Sequence, residues 1–558
     1  MEYKKKYAYH AMHMHLHSCF QPGMSMAAHM YNAQKLGMRY IWITDHDTAM
    51  GTKRRPVNGY VFDTEDLAKE DHGFAVADFE NSACFSYQVD ANIHTAKLEA
   101  SAGEDGKWQS AGIYFHSTGH RHNVALLMET SLRLGLEAEG IGPDSRLVLD
   151  ISLSQRPPEC KQSHMLYVLG EPDGLACADC QVLPLRIENG IVNLPLYEDV
   201  SDDPAIGGKD NVFDTVTIML QVRSGAKMAV TVGNFEIKFN KVFEDAHLAQ
   251  KEEAIRVGKF YGVTPFTSFE FSRTEHKNCF CSNVPALNYE KLNWEIDNSS
   301  IAAHAKQYGG IFAVNHPLAI SVLKRKPFDE TQRLQVIARS AAALLSCNAY
   351  GAALLEVGYP IGRNGFSLQE YLMLWDLLST GGLFLCGYGC SDCHRNNDNW
   401  FEGNNFATWL GVDGVLEHPV SESEFMLAMR RGNAYCGDPT VLKGAVCFET
   451  LDGIQQGAVF TTQNKNQVEI RFCAQDVKPG WCFHLIENGH TVYTEEISGN
   501  EYSHESVLTA SAATVSFQRA EMYDETGKCI LLTNPIYLVN RNELDRDIPS
   551  YRLVDGQE

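Results

Sequence analysis

No stretch of these 558 residues is apolar for long enough to cross a bilayer, and the lysines of MEYKKKYAYH lead into histidines instead of the greasy run of a secretion signal. No membrane partner is expected. A fixed-period repeat is lacking, which excludes a solenoid, and so is any low-complexity tract. Positive charge is scarce: 47 Lys and Arg stand against 70 Asp and Glu, a formal charge of −23. Such a surface repels a nucleic-acid backbone, so no long nucleic acid is expected, while a short nucleotide fits a locally positive pocket. What is present is an ordinary globular composition, 44% hydrophobic and 10% aromatic, over a length that exceeds one core. Three or four domains are expected.

The 16 cysteines are scattered instead of ordered in a small secreted framework, which fits reduced thiols and a cytoplasmic location. Two CxxC pairs occur, Cys177 with Cys180 and Cys390 with Cys393. A four-thiolate zinc site would require both pairs to meet in space, and chance spacing is the better reading.

Organisation follows from periodicity. Tyr7 to His17 reads as a strand, residues 24 to 37 as an amphipathic helix stopped at Gly37, and RYIWITDHD as a second strand. This βαβ start gathers polar residues at the C-terminal end of the second strand, where α/β folds place their sites. From about Phe85 to Lys238, short alternating runs separated by turn residues predict an inserted β-sandwich. Helical texture resumes at 242 to 260. After LAMRRGNAYCGDP (427 to 439) the chain is β-rich to residue 558. The expected division is 1–83, an α/β barrel's first part; 84–240, the inserted sandwich; 241–437, the barrel's second part; and 438–558, a C-terminal β-sandwich-like domain.

Within the α/β portions, five segments end an apolar run in histidine or a carboxylate: HLHS (15 to 18), TDHDT (44 to 48), SFEFSRTEHKN (268 to 278), FAVNHP (312 to 317) and GCSDCH (389 to 394). Each alone is weak, because a lone buried histidine is usually structural. Together they offer His15, His17, His46, Glu270, His276, His316, Asp392 and His394, a donor set suited to zinc, iron or manganese.

Those segments resemble, in order, the four motifs of the polymerase and histidinol phosphatase (PHP) superfamily of metal-dependent hydrolases: HLHS, TDHDT, NHP and SDCH. The resemblance covers roughly residues 7 to 83 and 259 to 437. It implies a distorted seven-stranded α/β barrel with metals at the C-terminal mouth. Residue by residue, it implies one metal on His15, His17, Glu270 and Asp392, a second on Glu270, His276 and His316 with Glu270 bridging, and a third-site pair in His46 and His394. Where three-metal members carry Asp or His about five or six residues after the motif's second histidine, this chain has Pro22 and Gly23, with Gln21 and Cys19 nearby. Two divalent ions are therefore expected, manganese, iron or zinc, with a third weak or absent. His13 stands where the family commonly has aspartate, so it is expected to orient a ligand or fill space, and Asp45 and Asp47 are expected to orient His46. His29, in mid-helix, reads as a packing or surface residue.

Two ions acidify a shared water and neutralise charge on a reacting oxygen, so the resemblance implies hydrolysis by a metal-bound hydroxide. His394 is the expected proton donor to the leaving oxygen, His46 the next, and Glu270 the bridge. Arg273, Arg363 and Arg395 flank the motifs and are expected to include a contact to a substrate phosphate or carboxylate. The tail, with WDLLSTGG (375 to 382) and a closing Asn-Pro-Ile, resembles the carbaryl-hydrolase-like branch. The expected function is hydrolysis of a small phosphomonoester or nucleotide-like phosphodiester. Carboxyl-ester or carbamate hydrolysis on the same metals is the alternative, and a carbohydrate- or partner-binding protein with an idle metal site is the third reading.

Overall fold

A computed structural model describes residues 7–20, 24–50, 60–62, 74–116, 124–125, 127, 129–154, 164–175, 177–201, 208–239, 245–273, 275–289, 291–292, 295–318, 329–363, 365–394, 406–414 and 419–554. The strand Tyr7–Leu16 runs parallel to Tyr40–His46, which runs parallel to Thr264–Phe271. Lys277–Phe280 is antiparallel to both of its neighbours, Thr264–Phe271 and Ile311–Val314. Leu354–Gly358 and Cys386–Gly389 then continue in parallel.

Helices cover the outside of this curl, and each has a sequence reason to start and stop. Met26–Lys35 begins where the Ser25 side chain accepts from Ala28 N, and Gly37 just past its end holds φ +74°. Ala246–Tyr261 is N-capped by Asp245, ends at left-handed Gly262, and packs against Met26–Lys35 and Thr264–Phe271. Leu368–Thr380 and Glu422–Arg431 both open with reciprocal capping boxes, Ser367 with Glu370 and Ser421 with Glu424. Ser421→Ala leaves a helix N–H unpaired and is expected to cost about 1 kcal/mol in urea unfolding; no measurable loss would contradict that role.

No continuous ladder closes the seven strands into a barrel among the described residues. The reason is edge occupancy: Tyr7–Leu16 gives its second edge, from Tyr7 to Met12, to antiparallel Ala407–Asp413. Only the far end of the first strand remains for the last one, through the single bridge Leu16 to Cys393 and the bond from His17 N to Cys393 O, 3.1 Å. The sheet instead runs on through Ala434–Gly437 to Cys529–Thr533, with Tyr435 opposite Thr533. The division expected at residue 437 thus falls inside one continuous sheet.

The insertion is a two-sheet sandwich. One sheet is built around Ser145–Ser154 and Val212–Val222, the other around Thr130–Glu139 and Lys227–Phe239. Inward residues such as Leu134, Leu149, Ile218 and Val230 share one buried core. The sandwich starts before residue 84: Tyr60–Phe62 pairs with 235–237 and Phe74–Val76 with 113–115. Three-residue strands are too short to display a period of two, which is why alternation places the boundary late.

Cys177 and Cys180 stand together, Cα to Cα 5.1 Å, close enough for a disulfide. Cys390 and Cys393 are buried thiols outside any disulfide. No helix among the described residues is long and apolar enough to cross a membrane.

Candidate metal centre

Strand alternation puts His13, His15 and His17 on one face, and all three are buried. Their fates differ. His13 Nε2 accepts from Ser391 N at 3.1 Å, so it braces the segment that presents Asp392. His15 and His17 converge, Nε2 to Nε2, at 3.0 Å, and both face Asp392 Oδ1, at 3.3 Å and 2.8 Å.

Glu270, near the end of Thr264–Phe271, is the centre of the arrangement. Its Oε1 lies 2.9 Å from His276 Nδ1, 3.3 Å from His316 Nε2 and 3.5 Å from His15 Nε2. Its Oε2 lies 2.9 Å from His46 Nδ1 and 3.5 Å from His17 Nε2. Asn315 Nδ2 donates to Oε1 at 2.8 Å. One carboxylate therefore sits within 3.5 Å of five imidazole nitrogens.

Four overlapping donor groups result among the described residues, each with its atoms within 4.8 Å of one another: His15, His17, Glu270 and Asp392; His46, Glu270 and His276; His17, His46 and His394; and, behind His15, His15 with Glu356 and Cys390. The first matches the expected four-ligand set. The second differs from expectation in one member: His316 reaches Glu270, but His46 completes the tight group. His46 thus stands between the second set and the third. The loop with Gln21, Pro22 and Gly23, which bears on a third ion, lies outside the described residues, as does Arg395.

The chemistry of the donors fits divalent cations. Buried carboxylates and imidazoles crowd together here with lone pairs facing inward, an arrangement that burial penalises unless positive charge joins it. Burial opposes charge on His15, yet Asp392, Glu270 and Glu356 outweigh it and hold its pKa well above the ordinary value. Burial, together with neighbouring His394 and His46, pushes His17 well below. Glu270 and Asp392 stay ionised against burial, the first through His15, His276 and His46, the second through Arg363, His15 and His394. Two residues of the site hold positive φ, His316 at +24° and Asp392 at +52°.

Access is one-sided. His15 and His17 are closed off, whereas the His46, His276 and His394 side chains keep 25%, 34% and 34% of their surface open, which marks the mouth. His394 Nδ1 contacts Asp392 O at 3.0 Å; if it donates there, Nε2 carries the lone pair. Arg363 pairs through Nη2 with Asp392 Oδ2 and lies 5.4 Å from the Tyr359 ring.

Several expected roles are corrected. Asp45 accepts from Ser18 N at 2.6 Å and from Gln250 Nε2 at 2.6 Å, so its hydrogen bonds fix the serine of HLHS. Asp47 accepts from Ser272 N at 3.1 Å and from Tyr289 OH, and burial raises its pKa to about 6. Asp45 alternates with His46 in the strand, and Asp47 opens the short helix Asp47–Met50 after it. Arg273 is exposed, and its charge acts on Tyr289, the partner of Asp47. His29 is fully buried, with Nε2 2.9 Å from His17 O; burial lowers its pKa to about 4.

Sequence reasoning missed Glu356, which is fully buried and lies 2.8 Å from His15 Nδ1. It sits inside the apolar run LLEVG and not at its end. The missed signal was an acid in a strand buried on both faces. A separate space of about 910 Å³ lies between Leu368–Thr380 and the C-terminal sheet, lined by Met373, His484, Arg519 and Tyr523 among others. It holds none of the convergent histidines, so donor geometry and not volume identifies the centre.

No family model matches the chain, and no curated protein matches it. Among solved structures, it is similar to a two-domain protein containing a predicted PHP-like metal-dependent phosphoesterase from Bacteroides vulgatus, at 16% identity over 53% of this chain and 80% of that one, with TM-score 0.26. It is also similar to the catalytic domain of Humicola grisea Cel12A, at 7% identity over 29% and 87% of the two chains, TM-score 0.21. A xylan-binding module, CBM15, gives 14% identity over 33% and 98%, TM-score 0.20. At such TM-scores none of these likenesses bears on chemistry, and the reading of the site rests on its own residues.

Proposed function

We propose that the chain is a metal-dependent hydrolase of the PHP type, acting on a small phosphoester. The observation that carries this reading is Glu270 within 3.5 Å of imidazole nitrogens from five histidines, with Asp392 beside two of them. His15, His17, Glu270 and Asp392 would hold one ion, and Glu270 with His276, His46 and His316 a second. His394 with His46 and His17 offers a weaker third position. Divalent manganese, iron or zinc supplies Lewis acidity there and lowers the pKa of water.

The protein's own groups do the rest. Glu270 fixes the spacing of the two positions. Arg363, its side chain 23% open beside Asp392, presents a guanidinium to a phosphoryl oxygen, and that anion recognition favours phosphoester over carboxyl ester. His394, at the mouth with Nδ1 against Asp392 O, would act as the proton donor to the leaving oxygen only in its imidazolium form, through Nε2. His15, His17 and Glu270 are buried away from bulk water, which strengthens each of these electrostatic contacts.

Aryl phosphate, bis-aryl phosphate, aryl ester and aryl carbamate, offered to the metal-loaded chain, test the choice of bond. Hydrolysis of the phosphates is expected; turnover of only the ester or carbamate would overturn the phosphoester reading. Chelation tests the metal independently of substrate. An ion at 100 times its Kd stabilises the chain by about 2.7 kcal/mol, so chelator should lower the unfolding midpoint and zinc or manganese restore it. An unmoved midpoint and unmoved activity would contradict a metal centre.

A further inference from the structure

The strand Leu354–Gly358 is buried along its whole length, and Glu356 is its one charge. A carboxylate removed from water is costly unless its lone pairs are satisfied. Here both oxygens are engaged. Oε1 lies 2.8 Å from His15 Nδ1, 2.5 Å from Cys390 Sγ and 3.4 Å from Tyr388 OH. Oε2 accepts from His316 N at 2.5 Å and from Tyr359 OH. The segments reached are the first strand, the NHP turn and the strand leading to SDCH, which are far apart in sequence.

The consequence lies in the histidine tautomer. Glu356 presents acceptor oxygens, so the His15 nitrogen facing it, Nδ1, keeps its hydrogen, and Nε2 is the nitrogen that gives up its proton when a cation binds. That Nε2 is the nitrogen 3.0 Å from His17 Nε2 and 3.3 Å from Asp392 Oδ1. The second oxygen holds the backbone N–H of His316, a residue kept at φ +24°, where a non-glycine residue needs outside support.

We propose that Glu356 is a positioning residue of the metal centre: one oxygen fixes the His15 tautomer that can bind a divalent cation through Nε2, and the other clamps the strained turn that aims His316 at Glu270. This rests on the reading of the cluster as a metal site. The role is distinct from that of Glu270, because Glu356 stands behind the ligands and touches neither the mouth nor a substrate. A carboxylate behind a metal-binding histidine commonly contributes 10- to 100-fold in metal affinity. Glu356 also serves a second ligand, so the effect belongs at about the upper end of that range.

Glu356→Gln is the decisive substitution because it is isosteric but keeps only one acceptor. If the amide oxygen stays on His15, its NH₂ opposes the N–H of His316; if it turns, the NH₂ faces His15 Nδ1 and favours the wrong tautomer. Zinc affinity by competition titration, and the His15 tautomer by ¹⁵N-imidazole spectra of the histidine-labelled chain, are the readouts. Wild type should bind zinc with His15 protonated at Nδ1. The variant should bind about 100-fold more weakly, with the tautomer population shifted or His316 displaced. If wild type binds no zinc, the metal reading itself fails; if wild type binds and Glu356→Gln binds equally well, only the role of Glu356 is overturned. Should Glu356→Gln not fold, Glu356→Asp decides, since it keeps the charge but withdraws it by one methylene. Weaker zinc binding supports the proposal, and unchanged binding overturns it.

Discussion

Glu270→Gln abolishes hydrolysis and lowers the metal content of the chain. The two proposed ion positions share this carboxylate, so one substitution removes a charged donor from both. Replacing a carboxylate that only supports a ligand already costs 10- to 100-fold in metal affinity, so loss of the bridge should exceed about 100-fold. The fold should tolerate the change. The amide occupies the same volume, Asn315 can still donate to its oxygen, and no other buried carboxylate relies on Glu270 as its partner. Activity and metal content, measured by single-turnover kinetics and elemental analysis, should therefore fall together while the secondary structure persists. A rate within about tenfold of wild type, below even the usual upper cost of losing a supporting carboxylate, would show that Glu270 bridges nothing.

Arg519→Met is expected to produce the largest loss of stability. Arg519 is 2% exposed and reaches from the strand Val515–Tyr523 to the helix Leu368–Thr380, giving Asp376 a paired contact at 2.9 Å and 2.8 Å. It also bonds Glu521, which accepts from Tyr523 OH at 2.5 Å. Removing the guanidinium leaves two carboxylates in a low-dielectric interface, where an unpaired charge costs about 3–5 kcal/mol. The helix it anchors leads directly into Cys386–Gly389 and then Asp392, so the C-terminal sheet buttresses the strand that presents a ligand. Denaturant unfolding should show the full loss, and adding Asp376→Leu to Arg519→Met should recover part of it by removing one stranded charge. A change below about 1 kcal/mol would mean that the carboxylates find other partners.

The residues of the centre were legible because they fall at strand ends, where a polar residue after an apolar run has no role in packing. His15, His17, His46, Glu270, His276, His316, Asp392 and His394, drawn from five segments, do meet around one carboxylate. Supporting residues were less legible. Asp45 and Asp47 adjoin His46 in sequence, but their carboxylates accept from Ser18 N and Ser272 N. Glu356 hides within LLEVG because its partners are assembled only by the tertiary fold. The open side of the curl was illegible for a similar reason: nothing in Tyr7–Leu16 reveals that Ala407–Asp413 takes its second edge. The sandwich's first strands escaped notice because three residues carry no period.

Anomalous diffraction from crystals of the manganese- or zinc-loaded chain tests the central claim most directly. The account predicts two strong peaks flanking the Glu270 carboxylate, one among His15, His17 and Asp392, the other among His46, His276 and His316. Peaks elsewhere, or none at full metal loading, would contradict it.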